Sequence, residues 1–447
     1  MERRLVSLTM VLLMILAGAL FTGCVEEQPP AEKTTEELAV EIVTLLMEQQ
    51  YTDVYGYFNN SIRSQITANQ FQSLWEQQVI NTYGTIAGII DTRGGNESGY
   101  QTVYVTCSFS QESSMDVKMI FDAQQWVLSL TVVPTEVPYT PPLYVNQSLF
   151  TESMVTVGSG AWTLPGTLTL PKGTGPFPAV VLVHGSGPND QDETIGPNKP
   201  FKDLAWGLAT QGIVVLRYEK RTKQYPEEVT AMLQNFTVQE ETIDDAIAAV
   251  SVLYTVPVVN QSQVYVLGHS LGGMLAPRIA SQDHRIAGLI ILAGNTRPLE
   301  DLILEQTWYL ANLSGTNQSD QLAQTRELVQ KIKTLNISDG ELVFNAPKSY
   351  WVDLAGYDPV ATAETVRLPL LILQGLRDYQ VTMDDFGRWN QTFYANQSVL
   401  LKTYASLNHL FLAGTGTPTN TEYMIPGHVD EPVILDIASW ISQQGTR

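Results

Sequence analysis

At 447 residues, 44% hydrophobic and 16% charged, the chain is long enough for two or three domains with cores of their own and too apolar for a disordered protein. Its 25 Lys and Arg stand against 46 Asp and Glu, a formal charge of −21. No basic cluster is present to neutralise phosphates, which excludes nucleic acid as a partner, and the acidic residues are spread out as on a solvated surface.

The first 24 residues are a separate object. Arg3 and Arg4 precede an apolar stretch from Leu5 to Leu20 that runs into Phe21-Thr22-Gly23-Cys24, the order of a charged region, an apolar region and a small-residue cleavage site. The Gly-Cys junction resembles a lipoprotein processing site, in which Cys24 becomes the lipidated N-terminus; Phe21 stands where such sites more often have leucine. The alternative is an uncleaved signal anchor, for which the apolar stretch is slightly short. Both place the body on the extracellular face of the membrane, tethered to it. With Cys24 lipidated, Cys107 in VYVTCSFS has no disulfide partner and reads as a buried small hydrophobe. Two cysteines and five scattered histidines build no metal site at these spacings, and no cofactor is expected.

Asn59, Asn96, Asn146, Asn235, Asn260, Asn312, Asn317, Asn336, Asn390 and Asn396 each stand in N-x-S/T with a non-proline middle residue. About three such sites are expected by chance, so the excess points to a glycosylated exterior, and the pairing of lipidation with N-glycosylation to an archaeal cell surface. The competing explanation is a surface that is merely rich in Asn and Thr.

After the polar spacer VEEQPPAEKTTEE, helical periodicity begins near Glu36 with Leu38, Ile42, Leu45 and Leu46. Helices are expected over 31–56 and 67–82, then four strands, TYGTIAGIID, YQTVYVTCSFS, SSMDVKMIFD and QQWVLSLTVV, separated by Gly and Ser turns. Helices on one face of an antiparallel sheet make a small α+β domain over 25–132. It resembles a secreted domain of unknown function, the DUF3887 type, close to NTF2-like folds. No catalytic constellation falls in it; a spacer, a dimerisation surface and a ligand pocket are all open roles.

VVPTEVPYTPPLYV is rich in proline and without periodicity, so a semi-rigid linker is expected over 133–148. From 149 to 447 apolar runs alternate with amphipathic ones: AVVLVHG, FKDLAWGLATQ, IVVLRYE, TIDDAIAAVSVLYT, VYVLGHS, LGGMLAPRIASQ, IAGLIILAG, then LPLLILQG, DDFGRWNQTF, SVLLKTYA and EPVILDIASWISQQ. The alternation predicts an α/β fold, a mostly parallel sheet covered on both faces. It lapses over about 298–353 into helical sequence, an insertion placed to lie over the mouth of the sheet as a lid.

Gly268-His269-Ser270-Leu271-Gly272 is G-x-S-x-G between a buried strand and a helix, the context of a nucleophile elbow. The glycines permit a turn tight enough to strain the serine backbone and lift its hydroxyl above the sheet. A serine alone is a poor nucleophile and needs a base and an orienting acid later in the chain. His409, directly after SVLLKTYA, is the expected base, with His428 placed instead before the last helix; His184 and His269 come too early. Asp378, in GLRDYQV after LPLLILQG, is the expected acid, whereas Asp384 and Asp385 open the next helix. For the oxyanion, the backbone N–H groups of Leu271 and Ser186 are the expected donors.

HGSGPNDQDETIGPNKPFKDLAWGLATQGIVVLRYEKRT (184–222), GHSLGGMLAPRIA (268–280) and LQGLRDYQVT (373–382) resemble the dienelactone-hydrolase-like group of α/β-hydrolase serine esterases. The resemblance covers about 150–447 and implies a carboxylesterase with Ser270, Asp378 and His409 as triad, acting on a small-molecule ester. Leu376 departs from the usual acidic residue beside the acid's loop, and true dienelactone hydrolases carry a cysteine nucleophile, so the group's label does not give the substrate. The rivals are a prolyl-oligopeptidase-like peptidase, an acyl thioesterase and a non-catalytic surface binding module. The block from Asn189 to Glu193, with Arg217, Lys220 and Arg221, reads either as substrate grips or as an internal charge network. Trp206 and Trp440 read as core residues on helix faces.

Overall fold

A computed structural model describes residues 33–97, 100–111, 114–135, 138–314 and 319–445. The leader with Cys24 and the sequon at Asn317 therefore lie outside the described residues. The chain divides into two compact units, Met1–Val137 and Pro138–Arg447.

In the first unit, Thr34 and Glu37 form a reciprocal capping box that starts the helix Thr35–Met47. Leu38, Ile42 and Leu46 recur at helical spacing and are buried. Short helices follow, and then β1 (Ile86–Glu97), β2 (Tyr100–Phe109), β3 (Met115–Phe121) and β4 (Val127–Pro134) form an antiparallel sheet in that order. Val103, Val105 and Cys107 of β2, with Val117, Met119 and Phe121 of β3, alternate onto the face that shares a core with the helices. This is the expected α+β layer. Cys107 is fully buried, its thiol donates to the Val105 carbonyl at 3.3 Å, and burial pushes that thiol up to about 12.

The stretch expected as a linker over 133–148 is described in two parts. β4 runs to Pro134, and from Pro138 the chain packs in the second unit. There the Tyr139 hydroxyl donates to Asp203 at 2.7 Å and the Tyr144 hydroxyl to the Val429 carbonyl at 2.8 Å. Prolines disfavour regular structure but do not stop neighbouring tyrosines from docking.

The second unit is built on β5 (Phe150–Val157), β6 (Leu164–Pro171), β7 (Phe177–Val183), β8 (Val214–Tyr218), β9 (Val259–His269), β10 (Gly288–Leu292), β11 (Leu370–Gly375) and β12 (Val399–Tyr404). Their order in the sheet is β12-β11-β10-β9-β7-β8-β6-β5, with β6 antiparallel to both its neighbours and every other pair parallel. The hairpin β5–β6 has no counterpart among the runs read from the sequence, because FTESMVTV is an exposed edge strand and LPGTLTLP carries two prolines.

Strand periodicity divides the apolar runs between two cores. Ala179, Val181 and Val183 of β7 face one side with Val264, Val266, Leu289 and Ile291; Val180 and Leu182 face the other with Tyr265, Leu267, Ile290 and Leu371. The helices Asp244–Leu253, Leu271–Gln282 and Met383–Phe393 cover the first side, and Pro200–Thr210 and Glu431–Gln444 the second. Trp440 is buried in the second core and Trp206 packs at its margin. Between β10 and β11 lie the helices of the insertion, Leu299–Ser314, Ser319–Lys333 and Lys348–Leu354.

None of the nine described sequon asparagines is buried. Asn146, Asn260 and Asn396 each accept the backbone N–H of the serine two residues on, at 3.1, 3.2 and 3.0 Å. N-x-S at these places therefore also serves as an Asx turn, a structural source of the motif besides glycosylation.

Candidate active site

β9 ends at His269, and Ser270 then adopts φ 54°, ψ −118°, a strained backbone for a residue with a side chain, before the helix Leu271–Gln282 begins. The glycines leave no choice at this turn. A Cβ on Gly268 would collide with the backbone of Gly272, and one on Gly272 with the carbonyls of Val183 and His184.

The structure brings the expected acid and base together: His409 Nδ1 lies 2.7 Å from Asp378 Oδ2, both side chains almost wholly buried. The other carboxylate oxygen of Asp378 accepts the N–H groups of Gln380 and Val381 at 2.8 and 3.0 Å, so the loop after β11 presents the acid in one orientation. The loop after β12 is shaped by Asn408, whose side-chain oxygen accepts from the N–H groups of Leu410 and Leu412. The two loops meet at Gly375, where a Cβ would strike the backbone of Leu407 and Asn408. His428 is elsewhere, its Nδ1 3.0 Å from Asp203 just before the last helix.

Ser270 and His409 line one cavity of about 720 Å³, within the range of small-molecule sites. The insertion supplies much of its wall, including Leu299, Ile303, Phe344 and Trp351, and the opposite wall includes Val229 and Phe236. Ser186 also lines it. The carbonyls of Gly185, Ser186 and Gly187 all accept from the side-chain amide of Asn189 at 3.2–3.3 Å, and that of Gly185 also from Lys220 Nζ at 2.7 Å. A trans peptide directs its N–H opposite its carbonyl, so the same contacts orient the Ser186 N–H away from Lys220. The Leu271 N–H is the first of its helix.

The basic and acidic block is an internal network. Arg217 binds Asp192 at 2.8 Å and Glu152 at 2.7 Å, Arg221 grips Asp245 with two bonds, and Lys220 pairs with Glu241 at 2.7 Å. Glu241 in turn accepts the Tyr350 hydroxyl from the insertion at 2.8 Å. His184, wedged between the rings of Phe201 and Tyr218, is held at about 4 by burial, which outweighs the pull of Glu193. Three contributors escaped the sequence reading. Gln374 donates to Asp378, Asp385 accepts the N–H groups of Thr296 and Arg297 where the insertion begins, and His269 pairs with Glu193. Among the described residues no group of His, Cys, Asp and Glu could hold a metal ion.

An eight-stranded sheet with one antiparallel strand near its edge, a serine at a strained turn after the central strand β9 and an Asp–His pair on the loops of β11 and β12 define an α/β hydrolase. Residues 176–414 match the family described as serine aminopeptidase, S33, to which the chain belongs, and residues 39–130 match a protein family of unknown function, DUF3887. The chain is 37% identical over 399 residues to esterase EstD of Thermotoga maritima, covering 89% of this chain and 92% of the relative. It is thus a carboxylesterase-like serine hydrolase. Similar solved structures include an esterase of Pyrococcus furiosus (16% identity, 69% of this chain and 97% of that one, TM-score 0.43). Another is a hyperthermophilic esterase of the archaeon Pyrobaculum calidifontis (15% identity, 66% and 87%, TM-score 0.44).

Proposed function

We propose that the protein is a membrane-tethered, extracellular carboxylesterase that cleaves short or medium acyl esters through an acyl-enzyme on Ser270. The observation that carries this reading is the 2.7 Å contact of His409 with Asp378 at a cavity that Ser270 shares. His409 Nε2 takes the proton of Ser270 as its oxygen attacks the ester carbonyl, then gives it to the departing alcohol; water repeats the sequence to release the acid. Asp378 fixes the imidazole with Nδ1 protonated and stabilises the cation formed. The N–H groups of Leu271 and Ser186 receive the oxyanion, each contributing about 2.7 to 4 kcal/mol to the transition state. The apolar wall supports an acyl chain as occupant.

The family's description favours a second reading, an aminopeptidase. Such an enzyme holds a substrate ammonium with an uncommitted carboxylate. The carboxylates lining this cavity are Glu193 and Glu241, paired with His269 and Lys220 respectively, which favours the ester. The tether rests on the leader and its Gly23-Cys24 junction.

A fluorophosphonate and a series of p-nitrophenyl esters, run beside aminoacyl p-nitroanilides, test the reading. Labelling of Ser270 with ester turnover, both lost in Ser270→Ala and turnover lost in His409→Ala, is expected; anilide turnover without ester turnover moves the assignment to a peptidase. Lipid incorporation in the host, abolished by Cys24→Ser, tests the tether.

A further inference from the structure

His269 stands immediately before Ser270 and is buried, as is Glu193. Its Nε2 lies 2.9 Å from the backbone carbonyl of His409, and its Nδ1 lies 2.9 Å from Glu193 Oε2. The other oxygen of Glu193 accepts the N–H of Gly185 at 2.6 Å. A carbonyl has only lone pairs to offer, so Nε2 carries a hydrogen; Nδ1 faces the carboxylate at ion-pair distance but off hydrogen-bond alignment, where a bare lone pair would be repelled, so Nδ1 carries a hydrogen as well. We propose that His269 is an imidazolium that, with Glu193, positions the active site from within, holding the backbone of His409 on one side and the backbone of the oxyanion loop at Gly185 on the other. This rests on the hydrolase reading of Ser270 and His409.

One ion pair thereby ties together three loops. Burial opposes charge on both partners, but their attraction outweighs it: His269 is raised above the ordinary imidazole value and Glu193 is held below the ordinary carboxylate value. The charged and titratable groups around them are few. His269 faces Glu193, the ring of His409 with centroids 4.7 Å apart, and the charge of Asp378. Glu193 faces His269 and His184, and Lys220 sits beyond Gly185, engaged by Glu241. A raised imidazole is charged below its folded value and loses the proton as pH rises through it. The positioning is therefore lost on the alkaline side.

Long-range nitrogen–proton correlation spectra of the histidine-labelled full chain at about pH 7, just above the ordinary imidazole value of about 6.5, read the charge directly. The signal is assigned by its disappearance in His269→Gln. Both ring nitrogens protonated in the wild type is the expected result; a neutral His269 overturns the proposal. In Glu193→Gln, kcat for a p-nitrophenyl ester is expected to fall on the order of 10²-fold, as a displacement of about 1 Å does, with KM moved less than about twofold. The variant's alkaline limb is expected to move to lower pH. Folded Glu193→Gln with wild-type kcat and pH profile overturns the proposal. Should that variant not fold, the charge-free Glu193→Gln/His269→Gln pair is assayed for the same kcat loss. Absent fluorophosphonate labelling of the wild type would instead sink the hydrolase reading and leave the spectra unaffected.

Discussion

Gln374 Nε2 donates to the same Asp378 oxygen that faces His409, at 3.1 Å, and also to the carbonyl of Val381 at 2.8 Å. Gln374, the penultimate residue of β11, therefore helps to orient Asp378. Gln374→Leu keeps the volume and removes the donor, leaving the buried Val381 carbonyl unmatched. The expected cost is about 1–3 kcal/mol of stability in a denaturant titration. Turnover of a p-nitrophenyl ester is expected to fall about tenfold with little change in KM, since in the proposed mechanism Asp378 acts by orienting His409.

His184 predicts an acid limb of stability. Its folded value of about 4 lies below the ordinary 6.5, so the unfolded chain takes up a proton that the folded chain refuses. Stability falls as pH drops from about 6.5 to about 4, by roughly 3 kcal/mol in all, and is insensitive to this group above that window. In His184→Gln the slope of unfolding free energy against pH over that interval is expected to be shallower.

Two glycines make a matched pair. Gly268→Ala drives a methyl group into the Gly272 backbone and is expected to yield no folded protein, read as loss of soluble material and of fluorophosphonate labelling. Gly387 lies inside the helix Met383–Phe393 with nothing near its Cβ position, so Gly387→Ala is expected to stabilise by up to about 1 kcal/mol without altering turnover.

Tyr350→Phe removes the hydroxyl that the insertion presents to Glu241 while leaving Glu241 its bond to Lys220. Stability is expected to fall by about 1–3 kcal/mol. KM is expected to rise several-fold as the cavity wall from Pro347 to Trp351 loosens, with labelling of Ser270 retained.

What could be read from the sequence was whatever physics confines to a short window. A run such as AVVLVHG has to be a buried strand, and a serine fenced by glycines between strand and helix declares its turn. Asp378 and His409 were legible because each follows such a strand directly. The pair His269 and Glu193, and the bond from Gln374 to Asp378, were not, since a charged residue's partner is set by how the loops fold back and leaves no periodic trace. The same holds for Asp385, which looked like an ordinary acidic residue in a first helical turn and instead anchors Thr296 and Arg297. In the proline-rich stretch the composition carried no sign of where the chain lies, which the contacts of Tyr139 and Tyr144 decide.

Cys107 gives the chain a built-in clock. The sequence from 138 onwards contains no cysteine, and Cys24 is the one other in the chain. In a Cys24→Ala protein, a thiol reagent added to the native state reaches sulfur only when the first unit opens, because the side chain is fully buried in the core that β2 shares with the helices. The rate of uptake then times the opening of that unit alone, while ester turnover in the same tube reports on the second. The endurance of the two halves can be followed separately without cutting the chain.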